Sequence, residues 1–136
     1  MKNLKNGIVF VNPYNPDPPP NYFGPPYGIS LIAACMISAG IKIPITAYDF
    51  DLQERDFMLH SVERILRKEE PVYLAIVTQS CTRGGVYELI DLARRIKPDV
   101  TIILGGPFAT CEYDFLLKNF KVDYVVVGDG EETMVE

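Results

Sequence analysis

The sequence has little of what most catalytic or nucleic-acid-binding chains display. It holds one histidine, His60, and three cysteines, Cys35, Cys81 and Cys111, far apart and odd in number. No CxxC pair or zinc-ligand spacing occurs, so neither a disulfide framework nor a structural zinc site is expected. A reducing cytoplasm is the default compartment for such a chain. Thirteen Lys and Arg face eighteen Asp and Glu, for a formal net charge of −5. Without a Lys/Arg-rich patch, neither nucleic acid nor an anionic membrane surface finds a basic footprint. No apolar run approaches the ~20 residues of a membrane span. The first residues lead into an apolar segment too short for a signal peptide. His60 falls in a helical pattern away from the loops, and Cys81 has no candidate base. No Ser-His-Asp or Cys-His arrangement can therefore be read.

What is present is an alternation of strand and helix signals. Residues 7–12 form a β-rich apolar run, expected as a buried central strand. Residues 13–26 follow as a long loop, half of it proline, with Pro18, Pro19 and Pro20 expected to run extended. An apolar helix is predicted over 27–39, closed by Gly40. A strand is predicted over 43–49, with Pro44 marking a sheet edge. Met58, Val62, Ile65 and Leu66 share one face of a helix predicted over 56–69, which Pro71 ends. A third strand is expected over 72–77. Val86, Leu89, Ile90, Ala93 and Ile96 form the next helical face, stopped by Pro98. A fourth strand over 100–105, a helix near 112–119, a fifth strand over 123–127 and the start of a new helix over 130–136 complete the pattern. Such alternation predicts an α/β fold, a doubly wound parallel five-stranded sheet with helices on both faces, in one domain over residues 1–136.

In such sheets ligands bind beyond the carboxyl ends of the strands. Four loops there carry the candidate site residues. The first is Asn12, Pro13 and Tyr14, opening the proline-rich loop, which reads either as a rigid wall over a ligand or as a plain surface connection. The second is the run 78–85, with Thr78, Gln79 and Ser80. Its hydroxyls suit helix capping, and Gly84 and Gly85 would let backbone approach a ligand. Cys81 lies here too and reads as structural. The third is Gly105, Gly106 and Pro107, where two glycines either make room for a flat group or form a simple tight turn. The fourth is Gly128, Asp129, Gly130, Glu131 and Glu132, whose acids suit the first turn of a helix through its dipole. The glycine spacing there lacks the third glycine of a dinucleotide fingerprint.

Taken in order, these pieces resemble the N-terminal cobalamin-binding-like domain of radical S-adenosylmethionine proteins. They are Val11-Asn12-Pro13, Pro25-Pro26-Tyr27-Gly28 with its following helix, Tyr48-Asp49, Ile96-Lys97-Pro98, Gly105-Gly106-Pro107, and the run Val127 to Thr133. The resemblance implies a flavodoxin-like, three-layer α/β/α sheet of order 2-1-3-4-5. It also implies a corrin lying over the strand ends beside Thr78, Ser80, Gly105, Gly106 and Gly128. No histidine lies between the first strand and first helix, so cobalt would have no protein histidine ligand. The three-thiolate spacing for an iron–sulfur cluster is absent, so that cluster and S-adenosylmethionine would belong to a downstream radical domain of a longer chain. Two functions remain open on the sequence: a cobalamin-carrying module for methyl transfer or related radical chemistry, or a recognition or docking domain that has lost cobalamin. A phosphoacceptor receiver is disfavoured by Asn12 and Thr78, which stand where acidic groups are needed. A flavodoxin is disfavoured by prolines where its phosphate loop would be.

Overall fold

A computed structural model of the protein describes residues 5–18 and 24–136. The extended conformation expected for Pro19 and Pro20 falls outside the described residues. The elements run β1 (Ile8–Asn12), α1 (Tyr27–Ser38), β2 (Ile45–Asp49), α2 (Arg55–Lys68), β3 (Tyr73–Val77), α3 (Arg83–Ile96), β4 (Thr101–Gly105), α4 (Pro107–Asn119) and β5 (Tyr124–Val125). All the strands are parallel, in the order β2-β1-β3-β4-β5. The fold class and strand order expected from sequence are those observed.

The strand patterns explain the layering. Alternate side chains of a strand face opposite ways. Val9, Val11, Leu74, Ile76, Ile102 and Leu104 point to one side, where α2, α3 and α4 cover them. Met58, Val62, Ile65 and Leu66 of α2 and Val86, Leu89, Ile90 and Ala93 of α3 are buried there, as their helical spacing predicts. Each of these side chains except that of Ala93 contributes about 1.5–3 kcal/mol by leaving water. Ile8, Phe10, Ala75 and Ile103 point to the other side, which α1 shares with Met134 and Val135. β1 is buried on both faces, as a central strand should be.

Helix ends follow their sequence signals where the chemistry is local. Gly40, at φ +80°, follows the last turn of α1, where Gly40 N donates to the Ile37 carbonyl and Ile41 N to the Met36 carbonyl. That pair is the Schellman closure a glycine permits. β2 begins two residues later than expected, after Pro44, whose carbonyl accepts from Ile8 N at 2.8 Å.

Three expectations need correction. α4 starts at Pro107, five residues before the predicted Glu112, which instead has non-helical angles within it. Pro107 suits the first helical turn because it needs no donor there. β5 is shorter than predicted, although Asp123 N and Val126 N still donate to the Ile102 and Leu104 carbonyls. Residues 131–135 are turns, not the start of a helix. Met134 N to Gly130 O, Val135 N to Glu132 O and Glu136 N to Glu132 O close turns there, mixing i→i−4 and i→i−3 bonds without the consecutive ladder of a helix.

The turn from β4 into α4 is tied to the end of β3 through Thr78. The Thr78 backbone N–H and Oγ1 both donate to the Gly105 carbonyl, at 2.7 and 2.8 Å. Oγ1 also accepts from Ala109 N at 2.8 Å, and the Thr78 carbonyl accepts from Phe108 N at 3.3 Å. Thr78 thus caps α4 from across the sheet, and its side chain is shut off from solvent. Gly106 has φ +101° and ψ −178°, a region essentially reserved for glycine. A Cβ there would stand 2.7 Å from the Thr78 carbonyl oxygen. Gly106→Ala is therefore expected to lower unfolding stability by about 2 kcal/mol or more. Thr78→Val should cost about 1–3 kcal/mol, because the Ala109 N–H loses its acceptor, and Thr78→Ser should recover most of that loss. Urea titration of the three variants measures both differences.

Candidate functional site

A cavity of about 580 Å³ opens at the carboxyl ends of β1, β3 and β4. That volume falls in the ~300–1,000 Å³ span of small-molecule sites. Its floor is the sheet face bearing Phe10, Ala75, Val77 and Ile103. Tyr27, Ile29 and Ile32 of α1 line it together with Val126, Gly128 to Glu131 and Met134, Gly130 packing directly against Ile32. The physical origin is unequal cover. Three helices protect the other face of the sheet, whereas among the described residues this face has only α1 and the turns near the end of the chain.

Of the residues expected at a site, Asn12, Gln79, Gly105, Gly106, Pro107, Gly128, Gly130 and Glu131 border this cavity. Pro13, Tyr14, Thr78 and Ser80 do not. Thr78 faces inward to its bonds with α4. The Tyr14 N–H approaches Met58 Sδ at 3.4 Å, and its ring lies where a Cβ on Gly85 would come within 2.9 Å. Gly85 therefore admits Tyr14 into the core and does not bring backbone to a ligand. Ser80 is exposed, in the single 3₁₀ turn Ser80–Thr82, and its carbonyl accepts from Arg83 Nη1 at 3.1 Å. The expected hydroxyl cap on α3 is absent too: the Thr82 hydroxyl lies 3.2 Å from Gln79 N and 3.3 Å from its carbonyl oxygen.

The glycine turns present bare backbone to the cavity. A Cβ on Gly105 would meet only Val126, at 3.9 Å, and one on Gly128 would meet nothing within 4 Å. Gly128 adopts φ +78°, and its N–H donates to Thr110 Oγ1 at 3.0 Å. Gly130 is a glycine for packing, since a Cβ there would press on Ile32 of α1 at 3.0 Å.

The helix-dipole account of Glu131 does not hold, because no helix starts there. Glu131 borders the cavity, and its Oε2 is buried without a hydrogen-bond partner. It is the one such side-chain atom among the described residues. A buried, unmatched acceptor is costly.

The polar rim includes residues that the sequence reading passed over, Asn15, Asp17 and Asp51, together with Cys81, which that reading placed in a ligand-side loop but took as structural. Asn12 Nδ2 donates to Asp49 Oδ1 at 2.9 Å, and Asp51 N donates to the same oxygen at 3.1 Å. Asn15 is buried; its Oδ1 accepts from Asp17 N at 3.1 Å, and its N–H from the chain reaches the Asp51 carbonyl at 3.3 Å. The exposed Cys81 thiol lies 3.6 Å from Gln79 Oε1. His60 stays apart on α2, exposed, with Nδ1 2.8 Å from the Asp56 carbonyl oxygen. No helix among the described residues is long and apolar enough to cross a membrane.

Burial, and then the neighbouring Asp49 charge, raise the Asp51 carboxyl above its ordinary value, while the Asn15 side chain lowers it by hydrogen bonding. The folded state therefore holds the Asp51 proton more tightly than the unfolded chain. Its ionised form costs stability at neutral pH, and that cost fades as pH falls through the raised value. Asp51→Asn is expected to raise the melting temperature at pH 7, with the gain shrinking toward pH 4. Thermal melts across that range check the sign.

Comparison with known proteins gives this geometry its relatives. The chain is 25% identical over 114 residues to an uncharacterized methyltransferase of Pyrococcus horikoshii, covering 83% of this chain and 24% of that protein. The chain thus spans about a quarter of the length of the curated relative it matches. Residues 20–136 match the B12 binding domain family, leaving β1 as the one strand outside the matched stretch. With most of its length matched, and the cavity at the strand ends where such a sheet binds its ligand, this chain belongs to the B12 binding domain family.

Proposed function

We propose that this domain is a cobalamin-binding module, serving methyl transfer or related chemistry on an unreactive carbon in a longer polypeptide. The observation that carries the reading is the cavity itself: an apolar floor, glycine turns without side chains, and an unpartnered Glu131 oxygen at one end of a B12-family sheet. The methyltransferase in the matched relative's description supports the reaction class. The order of the motifs from Val11 to Thr133 supports a radical S-adenosylmethionine partner domain. In that reading its iron–sulfur cluster and S-adenosylmethionine lie outside this chain.

The residues present fit such a group. Phe10, Ala75, Val77 and Ile103 offer a dry surface to an apolar face of the ligand. Gly105 and Gly128 leave open space in which it can approach the backbone closely. Asn12, Gln79 and Glu131 supply polar contacts at its edge. The reading includes no histidine ligand to the metal. Cobalamin, when bound, supplies the chemistry of a methyl carrier. The chain's own task is to hold and orient it and to exclude water from its buried side.

Hydroxocobalamin titrated into the purified chain is expected to bind saturably, with a change in the visible spectrum and measurable heat. Gly105→Leu should weaken that binding about tenfold or more by filling the floor. Its melting temperature should move little, because Gly105 has ordinary backbone angles and open space at its Cβ. No binding at high concentration, in this chain and in a longer polypeptide containing it, would favour the docking-domain reading instead.

A further inference from the structure

One helix differs from the rest in what it shows to water. Residues 18–41 hold no Asp, Glu, Lys, Arg or His, so α1 has no charged face at all. Ile29 and Met36 are buried against the sheet. Tyr27, Leu31, Ala34 and Ser38 recur at helical spacing and share the opposite face, where all four are exposed. Tyr27 is 79% exposed and Leu31 52%, with Ile37 at 65% on the adjoining flank. By contrast α2 turns Arg64, Arg67 and Lys68 outward, and α3 turns Asp91 and Arg95. A helix that is apolar all round belongs in an interior, and an exposed apolar patch marks a place of interaction.

We propose that this outer face of α1 is a docking surface for the polypeptide that follows Glu136 in a longer protein, and that the segment seated there presents uncharged, apolar side chains. This rests on the longer polypeptide of the reading above and not on its corrinoid.

Position, length and size point to that occupant. Met134 and Val135 already pack into the cluster of Ile29 and Met36, and a Cβ on Gly130 would stand 3.0 Å from Ile32. Residues after Glu136 would thus set out from the flank of α1. The matched relative extends far beyond this domain, which covers 24% of it. The face is also small. Its large side chains are Tyr27, Leu31 and Ile37, against the ~20–30 residues a side of a stable interface between free proteins. A tethered segment needs far less area, because linkage holds it at high effective concentration. The same comparison argues against a second copy of the chain. A lipid surface is disfavoured as well, since helices that lie on membranes carry Lys and Arg on their polar side and α1 has neither.

Hydrogen exchange and one substitution test this without cobalamin. The amides of residues 27–38 are expected to exchange about tenfold or more slowly in the longer polypeptide than in this chain. Leu31→Lys should lower the melting temperature of the domain in the longer polypeptide by about 2 °C or more. It should leave that of this chain in place, because Leu31 is half exposed there. Equal exchange rates overturn the proposal, as does a Leu31→Lys substitution that is tolerated in the longer polypeptide or equally damaging in both. A dimer of this chain at micromolar concentration that Leu31→Lys dissociates would assign the face to a second copy and overturn it. Cosedimentation of this chain with phosphatidylglycerol vesicles, abolished by Leu31→Lys, would assign it to a membrane and overturn it too. None of these results bears on the corrinoid reading, which the hydroxocobalamin titration decides separately.

Discussion

Everything at the ligand end of this domain depends on how Thr78 joins β3 to the turn between β4 and α4. One residue extends the ladder by its N–H, bonds the Gly105 carbonyl by its hydroxyl, and caps α4 through the Ala109 and Phe108 amides. Those amides would otherwise lie buried at a helix start without partners. The approach is so close that residue 106 has no room for a side chain. The glycine there follows from the clamp, and the shape of the cavity follows from the position of that glycine turn. Neighbouring glycines have different origins: Gly85 makes way for Tyr14, Gly130 for Ile32, while Gly105 and Gly128 leave space open. Glycine enrichment at one end of a sheet is thus several separate packing solutions, only some of which concern a ligand.

The second constraint is the unequal cover of the sheet. Parallel strands are stable when both faces are dry. The face with α2, α3 and α4 meets that condition. The face with Phe10, Ala75 and Ile103 meets it under α1, and toward the strand ends gives way to the cavity. An apolar floor left open in this way is what a large flat ligand can complete. The polar groups gather at its rim, and among the described residues the charged ones there are acids.

Much of this could be read from the chain. The helical spacing of Met58, Val62, Ile65 and Leu66 gave the buried face of α2, and Pro44 gave an edge strand, because both signals are local. The role of Thr78 could not be read, since its partner Ala109 is 31 residues away. A threonine after a strand looks the same whether it faces a ligand or a helix start. The helix boundary at Pro107 was missed because a glycine pair followed by proline reads equally as a turn. Asp51 was within reach: the loop after β2 opens at the same end of the sheet as the others, and the rule that directs attention to those ends applies to it too. Glu131 stands in a strand-end loop that the sequence marks as a candidate, where its acidity reads as suited to a helix dipole. Its unmatched oxygen is a property of three-dimensional burial that no spacing encodes.

The central claim is that the glycine-lined end of the sheet is where the cofactor rests. Amide chemical-shift mapping with the diamagnetic hydroxocobalamin tests it most directly. The account predicts that the resonances of Gly105, Gly106, Gly128, Gly130 and Gln79 move on titration, while those of α2, on the far side of the sheet, stay in place. Shifts confined to α2 and α3, or no shifts at saturating cobalamin, would contradict it.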